Sequence, residues 1–87
     1  MFDWNDQNIR HVAAHGISPE EAEQVIENEP LDLEFQLRNG EERIVQVGET
    51  DAGRILVVVT VVREQVIRVV TAFPAKERLR RLYRTKK

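Results

Sequence analysis

The sequence predicts an α+β fold: two N-terminal helices, a four-stranded and mainly antiparallel sheet, and a C-terminal helix. Three observations predict it. Apolar residues recur at helical spacing up to Pro30, alternate strictly after it, and return to helical spacing beyond Pro74. Asn39-Gly40, set between two alternating stretches, is the strongest short signal for a tight hairpin, because both residue types accept the left-handed backbone such turns need. The run from Ile55 to Val62 is apolar at nearly every position, as a strand covered on both faces requires.

The elements follow in order. Trp4, Ile9, Val12 and Ala13 mark a first helix over residues 4–15, with Asp3 as its N-cap, His15 on its last turn and Gly16 to end it. Ser18-Pro19-Glu20-Glu21 combines a capping hydroxyl, a proline suited to the first helical position and a glutamate placed for a capping box. That second helix stops near Asn28, because Pro30 disfavours helix in the residue before it. Leu31, Leu33, Phe35 and Leu37 then share one face of a strand, and a second strand runs from about Glu42 to Val47. A turn over 48–53 leads to the central strand, and Arg63-Glu64-Gln65 turns back into a fourth strand from Val66 to Ala72. Pro74 ends the sheet, and Ala75, Leu79, Leu82 and Tyr83 mark one face of the closing helix.

Composition narrows the class. Eighty-seven residues are expected to form a single domain, residues 1–87, around one core. With 41% hydrophobic and 32% charged residues, the chain reads as globular rather than disordered. It has no cysteine, hence neither a disulfide framework nor a thiolate metal site. The opening MFDWNDQ lacks the basic and apolar regions of a secretory signal, and the longest apolar run is too short to span a bilayer. A cytoplasmic location without membrane association is the expectation.

The net charge of −2 conceals a division along the chain. Residues 1–42 carry Arg10 and Arg38 against eleven acidic side chains, whereas residues 43–87 carry eleven basic against four acidic. Such asymmetry suits either a polyanion ligand or neutralisation of one half by the other. The closing PAKERLRRLYRTKK holds seven of the thirteen Lys and Arg residues, suited to phosphate contacts or to a solvated helix face. By parity, Arg54 and Arg68 fall on one sheet face, where planar guanidiniums would hold a phosphate or form salt bridges with Glu42 or Glu64. Nucleotide-binding and nucleophile-elbow motifs are absent. His11 and His15 stand four apart on a helix but lack the glutamate and third ligand of a zinc motif, so no metal is expected.

Taken in order, FDWN, HGIS with the following EEA, GEER, GRILVVV, Arg63 and Arg68 flanking the last hairpin, and the terminal RRLY resemble the BrnT toxin family over roughly residues 2–83. The resemblance implies a RelE-like fold and an endoribonuclease that cuts RNA without a ribosome, a metal or another cofactor. It also implies inhibition by a ribbon-helix-helix antitoxin of the BrnA type, in a two-toxin, two-antitoxin complex that reaches operator DNA only through the antitoxin. Cleavage of this kind uses the substrate 2′-hydroxyl as nucleophile, a base to deprotonate it and cations around the phosphate. His15 or Glu42 is the candidate base. Arg43, Arg54 and Arg68 are the candidates for phosphate stabilisation, and Arg80, Arg81 and Tyr83 for substrate grip. An antitoxin is expected to cover the arginine face.

The pattern departs from the family at two places. Thr71-Ala72-Phe73 stands where members commonly have Ser-Ala-Arg, and Leu79 stands where many have a glutamate. Phenylalanine cannot neutralise a phosphate but can stack on a base. The alternative to an active toxin is therefore a weak or inactive member that keeps antitoxin or nucleic-acid binding.

Overall fold

The computed structural model describes residues 1–86. Its elements are α1 (Asp6–Ala13), α2 (Pro19–Glu27), β1 (Leu31–Arg38), β2 (Glu41–Glu49), β3 (Ile55–Arg63), β4 (Val66–Pro74) and α3 (Glu77–Lys86). The strands pair in sequence order, each antiparallel to the next, so β1 and β4 are the edges and β3 is internal as its apolar run requires. This is the α+β arrangement that the periodicity predicts.

Helices cover both faces of the sheet, and two core clusters result. On one face α1 lies against β4 and α2 against β2 and β3, burying Val12, Ile17, Ala22 and Val25 on Leu56, Val58, Val69 and Ala72. On the other, Tyr83 and Leu79 of α3 pack with Val47, Ile55, Val57 and Ala75. Alternate side chains of β3 thus enter opposite clusters, as a strand's two-residue period dictates. Each fully buried valine or leucine contributes roughly 1.5–3 kcal/mol.

The local signals act where expected, with one displacement. The Ser18 hydroxyl accepts from the Glu21 amide, and the Glu21 carboxylate accepts from the Ser18 amide, so the capping box is complete. Asn39 and Gly40 adopt φ of 50° and 78°, the backbone of a tight hairpin. The N-cap of α1, however, is Asn5 rather than Asp3, and the helix begins at Asp6. The reason is tertiary: Phe2 bridges Ile67 in parallel, the Asp3 amide donates to the Ile67 carbonyl, and the Asp3 carboxylate pairs with Arg68 at 3.2 Å. Residues drawn out along β4 cannot begin a helix. The closing helix also differs from expectation at Leu82, which stays 39% exposed while Leu79 and Tyr83 pack.

Two β-bulges shape what each face presents. One shifts the β1–β2 register between Asp32 and Glu34, and the other shifts β3–β4 opposite Val59 and Thr60. Each inserts a residue and so reverses the facing of everything beyond it. In β4, Ala72 pairs with Val58 and Val69 with Thr60, both on the α1–α2 side, while Arg68 pairs with Val61 on the α3 side. The parity that placed Arg54 and Arg68 on one face therefore fails, because it counted through a bulge.

Candidate active site

Arg54 and Arg80 share a groove at the end of the sheet where β3 begins and β4 finishes, and His15 and Phe73 meet each other one residue away from Gly16, which Arg54 contacts, and Pro74, which lines the groove. His15 is set there by the way α1 ends. The Ile17 amide donates to the Val12 carbonyl at 3.0 Å and the Gly16 amide to Ala13 at 2.9 Å, with Gly16 at φ 74°. This is a Schellman turn, and its apolar contact is the shared burial of Val12 and Ile17. His15 stands just before the glycine with its side chain exposed, past the end of α1 rather than on its last turn.

Arg54 is fixed from two directions. Its amide donates to the hydroxyl of buried Thr50 at 3.0 Å, and its carbonyl accepts from the Thr50 amide, which closes the turn between β2 and β3. Its Nη1 donates to the Gly16 carbonyl at 3.1 Å and to Glu21 Oε2 at 2.8 Å. The Glu21 carboxyl is held below the ordinary glutamate range, first by the Ser18 amide and then by the Arg54 guanidinium, against a partial cost of burial. The capping box of α2 and the placement of Arg54 thus share one carboxylate.

Phe73 lies on edge strand β4, and its ring meets the His15 imidazole edge-on at a centroid separation of 6.1 Å. Across the same end, α3 buries Leu79 and Tyr83 and turns Arg80 and Arg84 toward the start of β3. Arg54, Leu56, Pro74, Glu77, Arg80 and Arg84 line an open groove of about 290 Å³. Glu77 Oε1 accepts from both Nε and Nη2 of Arg80, at 3.2 and 2.7 Å, which orients that guanidinium and depresses the Glu77 pKa. The lining holds three guanidiniums against one carboxylate, with an imidazole and an exposed aromatic ring beside it.

The remaining candidates lie elsewhere. Arg43 pairs across the sheet with Val61 and Val61 with Arg68, five residues along β3 from Leu56 or about 17 Å at the rise of a strand. There Arg68 borders a cavity of about 210 Å³ shared with Asp3, Glu41, Arg63 and Glu64, and Arg43 approaches Glu41 at 4.0 Å. Glu42 is exposed at that same end, remote from His15. Arg81 points away with 74% of its side chain exposed, although its Nε approaches Glu77 at 3.4 Å. Tyr83 is 5% exposed, so its ring packs in the α3 core and cannot stack on a base. Burial first, then the charge of the Glu49 carboxylate, which also accepts a hydrogen bond from the Tyr83 hydroxyl, raise its pKa. His11 is turned from His15 toward the bulge, its Nδ1–H donating to the Val70 carbonyl at 3.4 Å. Among the described residues no three His, Cys, Asp or Glu side chains gather as metal ligands would.

Sequence reasoning missed Arg84, Glu21 and Glu77. Arg84 carried a usable signal, four residues beyond Arg80 and hence on the same helix face. Glu21 did not, since nothing local links it to Arg54.

The sequence model of the family described as "Ribonuclease toxin, BrnT, of type II toxin-antitoxin system" matches residues 4–78. The chain belongs to the BrnT family. The match spans both N-terminal helices, the whole sheet and the first residues of α3, and it includes His15, Arg54 and Phe73 while stopping short of Arg80. None of the curated proteins matches the chain. BrnT membership makes this a type II toxin of the ribonuclease class, and implies RNA as substrate and an antitoxin as partner. No helix of the described residues is long and apolar enough to cross a membrane.

Proposed function

We propose that this BrnT chain cleaves cytoplasmic RNA by itself, without ribosome or metal, through the groove between the start of β3 and α3. The observation that carries this reading is the convergence of Arg54, Arg80 and Arg84 on one groove beside the exposed His15 imidazole. A phosphodiester seated among the guanidiniums would have its added transition-state charge neutralised in place. His15 is the base: its imidazole is exposed to an incoming substrate and carries a ring nitrogen that can accept the proton. It removes the 2′-hydroxyl proton, O2′ bonds to phosphorus, the bond to O5′ breaks, and the leaving oxygen takes a proton from water while His15 returns its own to solvent. Phe73 offers the adjacent nucleotide a ring to stack on. A ribbon-helix-helix antitoxin restrains the activity and carries the complex to operator DNA.

Expression of the chain alone in bacteria, with and without its antitoxin, tests this. Growth arrest with loss of bulk RNA, relieved by the antitoxin, is the expected outcome. With purified protein and EDTA present, His15→Gln should lower RNA cleavage by about 10²- to 10⁴-fold. Arg54→Ala should lower it by about 10²-fold, as loss of one transition-state donor does. Cleavage unaffected by either change would refute the assignment.

Phe73 supports a second reading. It stands beside His15 where the family pattern places an arginine, so the groove lacks one cation and the chain retains antitoxin binding with little cleavage. Phe73→Arg separates the two: a large gain in RNA cleavage favours the weakened member, and an unchanged or reduced rate favours the active toxin.

A further inference from the structure

Phe35 and Leu37 are 70% and 74% exposed, the most exposed large apolar side chains after Met1. The β1 bulge explains why. Before it, Leu31 pairs with Val47 and joins the α3-side core. After it, Phe35 pairs with Ile44, Ile44 with Thr60 and Thr60 with Val69, a row on the α1–α2 face. Leu37 lies two residues on and shares that face, as does Val62, which is 49% exposed. The helices there lie against β2, β3 and β4, so the bulge turns two large apolar groups onto a part of the face that no helix shields. β1 is also an edge, with strand pairing on one side only.

Clustered exposed apolar groups on an unpaired edge strand mark a surface that is covered in the working assembly. The charge around them selects the occupant. On β1, its hairpin and the start of β2 there are four carboxylates, Asp32, Glu34, Glu41 and Glu42, against Arg38 and Arg43, and Arg43 is already turned toward Glu41 at 4.0 Å. A second copy docking symmetrically would bring two net-acidic edges together, which costs binding energy. A partner with apolar anchors and net positive charge meets no such opposition. We propose that the patch of Phe35, Leu37, Ile44 and Val62 is the anchoring surface for the antitoxin, which lays an apolar, basic segment along β1. This rests on the toxin reading, which supplies the antitoxin. The anchor lies at the opposite end of the sheet from the arginine groove, so binding of the antitoxin and cleavage of RNA depend on different residues.

The test uses the full chain and the antitoxin encoded with it. Phe35→Ser with Leu37→Ser should weaken the antitoxin Kd by about 100-fold, as loss of a buried aromatic anchor does. It should also leave growth arrest intact and no longer relieved by the antitoxin. Thermal melting of the variant verifies that it folds. The wild-type Kd should weaken as salt is raised. An unchanged Kd in the folded variant overturns the proposal. So does a concentration-dependent dimer of the chain alone that the two substitutions break while antitoxin binding persists. If the wild-type chain neither arrests growth nor cuts RNA, the ribonuclease reading fails, and the purified-protein Kd still decides the docking surface.

Discussion

Glu21 joins a helix cap to Arg54, and this makes its charge measurable. Glutamine at this position still completes a capping box, so Glu21→Gln removes the pairing with Arg54 while keeping α2. The folded-state pKa of Glu21 is depressed, so its stabilisation is present above the ordinary glutamate value and is lost as pH falls through the lower, folded value. Urea unfolding of wild type and Glu21→Gln should therefore differ by about 0.5 kcal/mol at pH 7 and converge under acid conditions. A constant difference across pH would show that the carboxylate is not coupled to Arg54. At alkaline pH the sign reverses: Tyr83 has a raised pKa, so its contribution holds until pH climbs through that value.

At the scale of elements, two local conformations have opposite remedies. Glu64 and Gln65 occupy φ of 52° and 68° at the centre of the β3–β4 hairpin, a backbone that Asn-Gly adopts at little cost and these residues do not. Replacing the pair by Asn-Gly, the solution used at Asn39-Gly40, should stabilise the protein by about 1 kcal/mol, equivalent to about 4–8 °C in Tm for a domain of this size. Gly48 is the reverse case. A Cβ there would approach Pro30 Cβ and Val25 Cγ1 at 3.0 Å, where α2 and its exit press on β2. Gly48→Ala should cost about 1–3 kcal/mol, read by the urea midpoint, because neither contact can yield without moving α2.

The whole molecule sorts its charges by location rather than by chain half. The acidic β1 carries the apolar edge, the basic α3 closes the arginine groove, and Glu21–Arg54 and Asp3–Arg68 link early residues to late ones. The division along the sequence is thus partly neutralised on folding and partly retained as two surfaces of opposite character. RNA affinity should accordingly fall steeply with salt. Arg80→Ala with Arg84→Ala should weaken RNA binding and leave antitoxin affinity unchanged, a pairing that filter binding and calorimetry can read side by side.

Much of the fold was legible before any coordinates, because its signals are local. The capping box at Ser18, the stop at Pro30, the hairpin at Asn39-Gly40 and the apolar β3 each depend on residues within a few positions of one another. The order of elements follows from them, and the ordered series of family residues carried the ribonuclease class. The start of α1 was misplaced because Asp3 is claimed by Arg68, sixty-five positions away. The site was legible only in part. His15, Arg54, Phe73 and Arg80 stood out as residue types, but so did Glu42, Arg43, Arg68 and Tyr83, and local spacing cannot say which of these meet. Strand register and burial made that decision: Glu42, Arg43 and Arg68 lie at the far end of the sheet and Tyr83 packs under α3, while the two bulges, each adding one residue inside an unbroken strand pattern, set the faces that Arg68, Phe35 and Leu37 take. Facing is a property of how strands pair. The sequence therefore determined which segments are helix and strand, whereas only the packed sheet decided which arginines share a groove and which apolar residues are left uncovered.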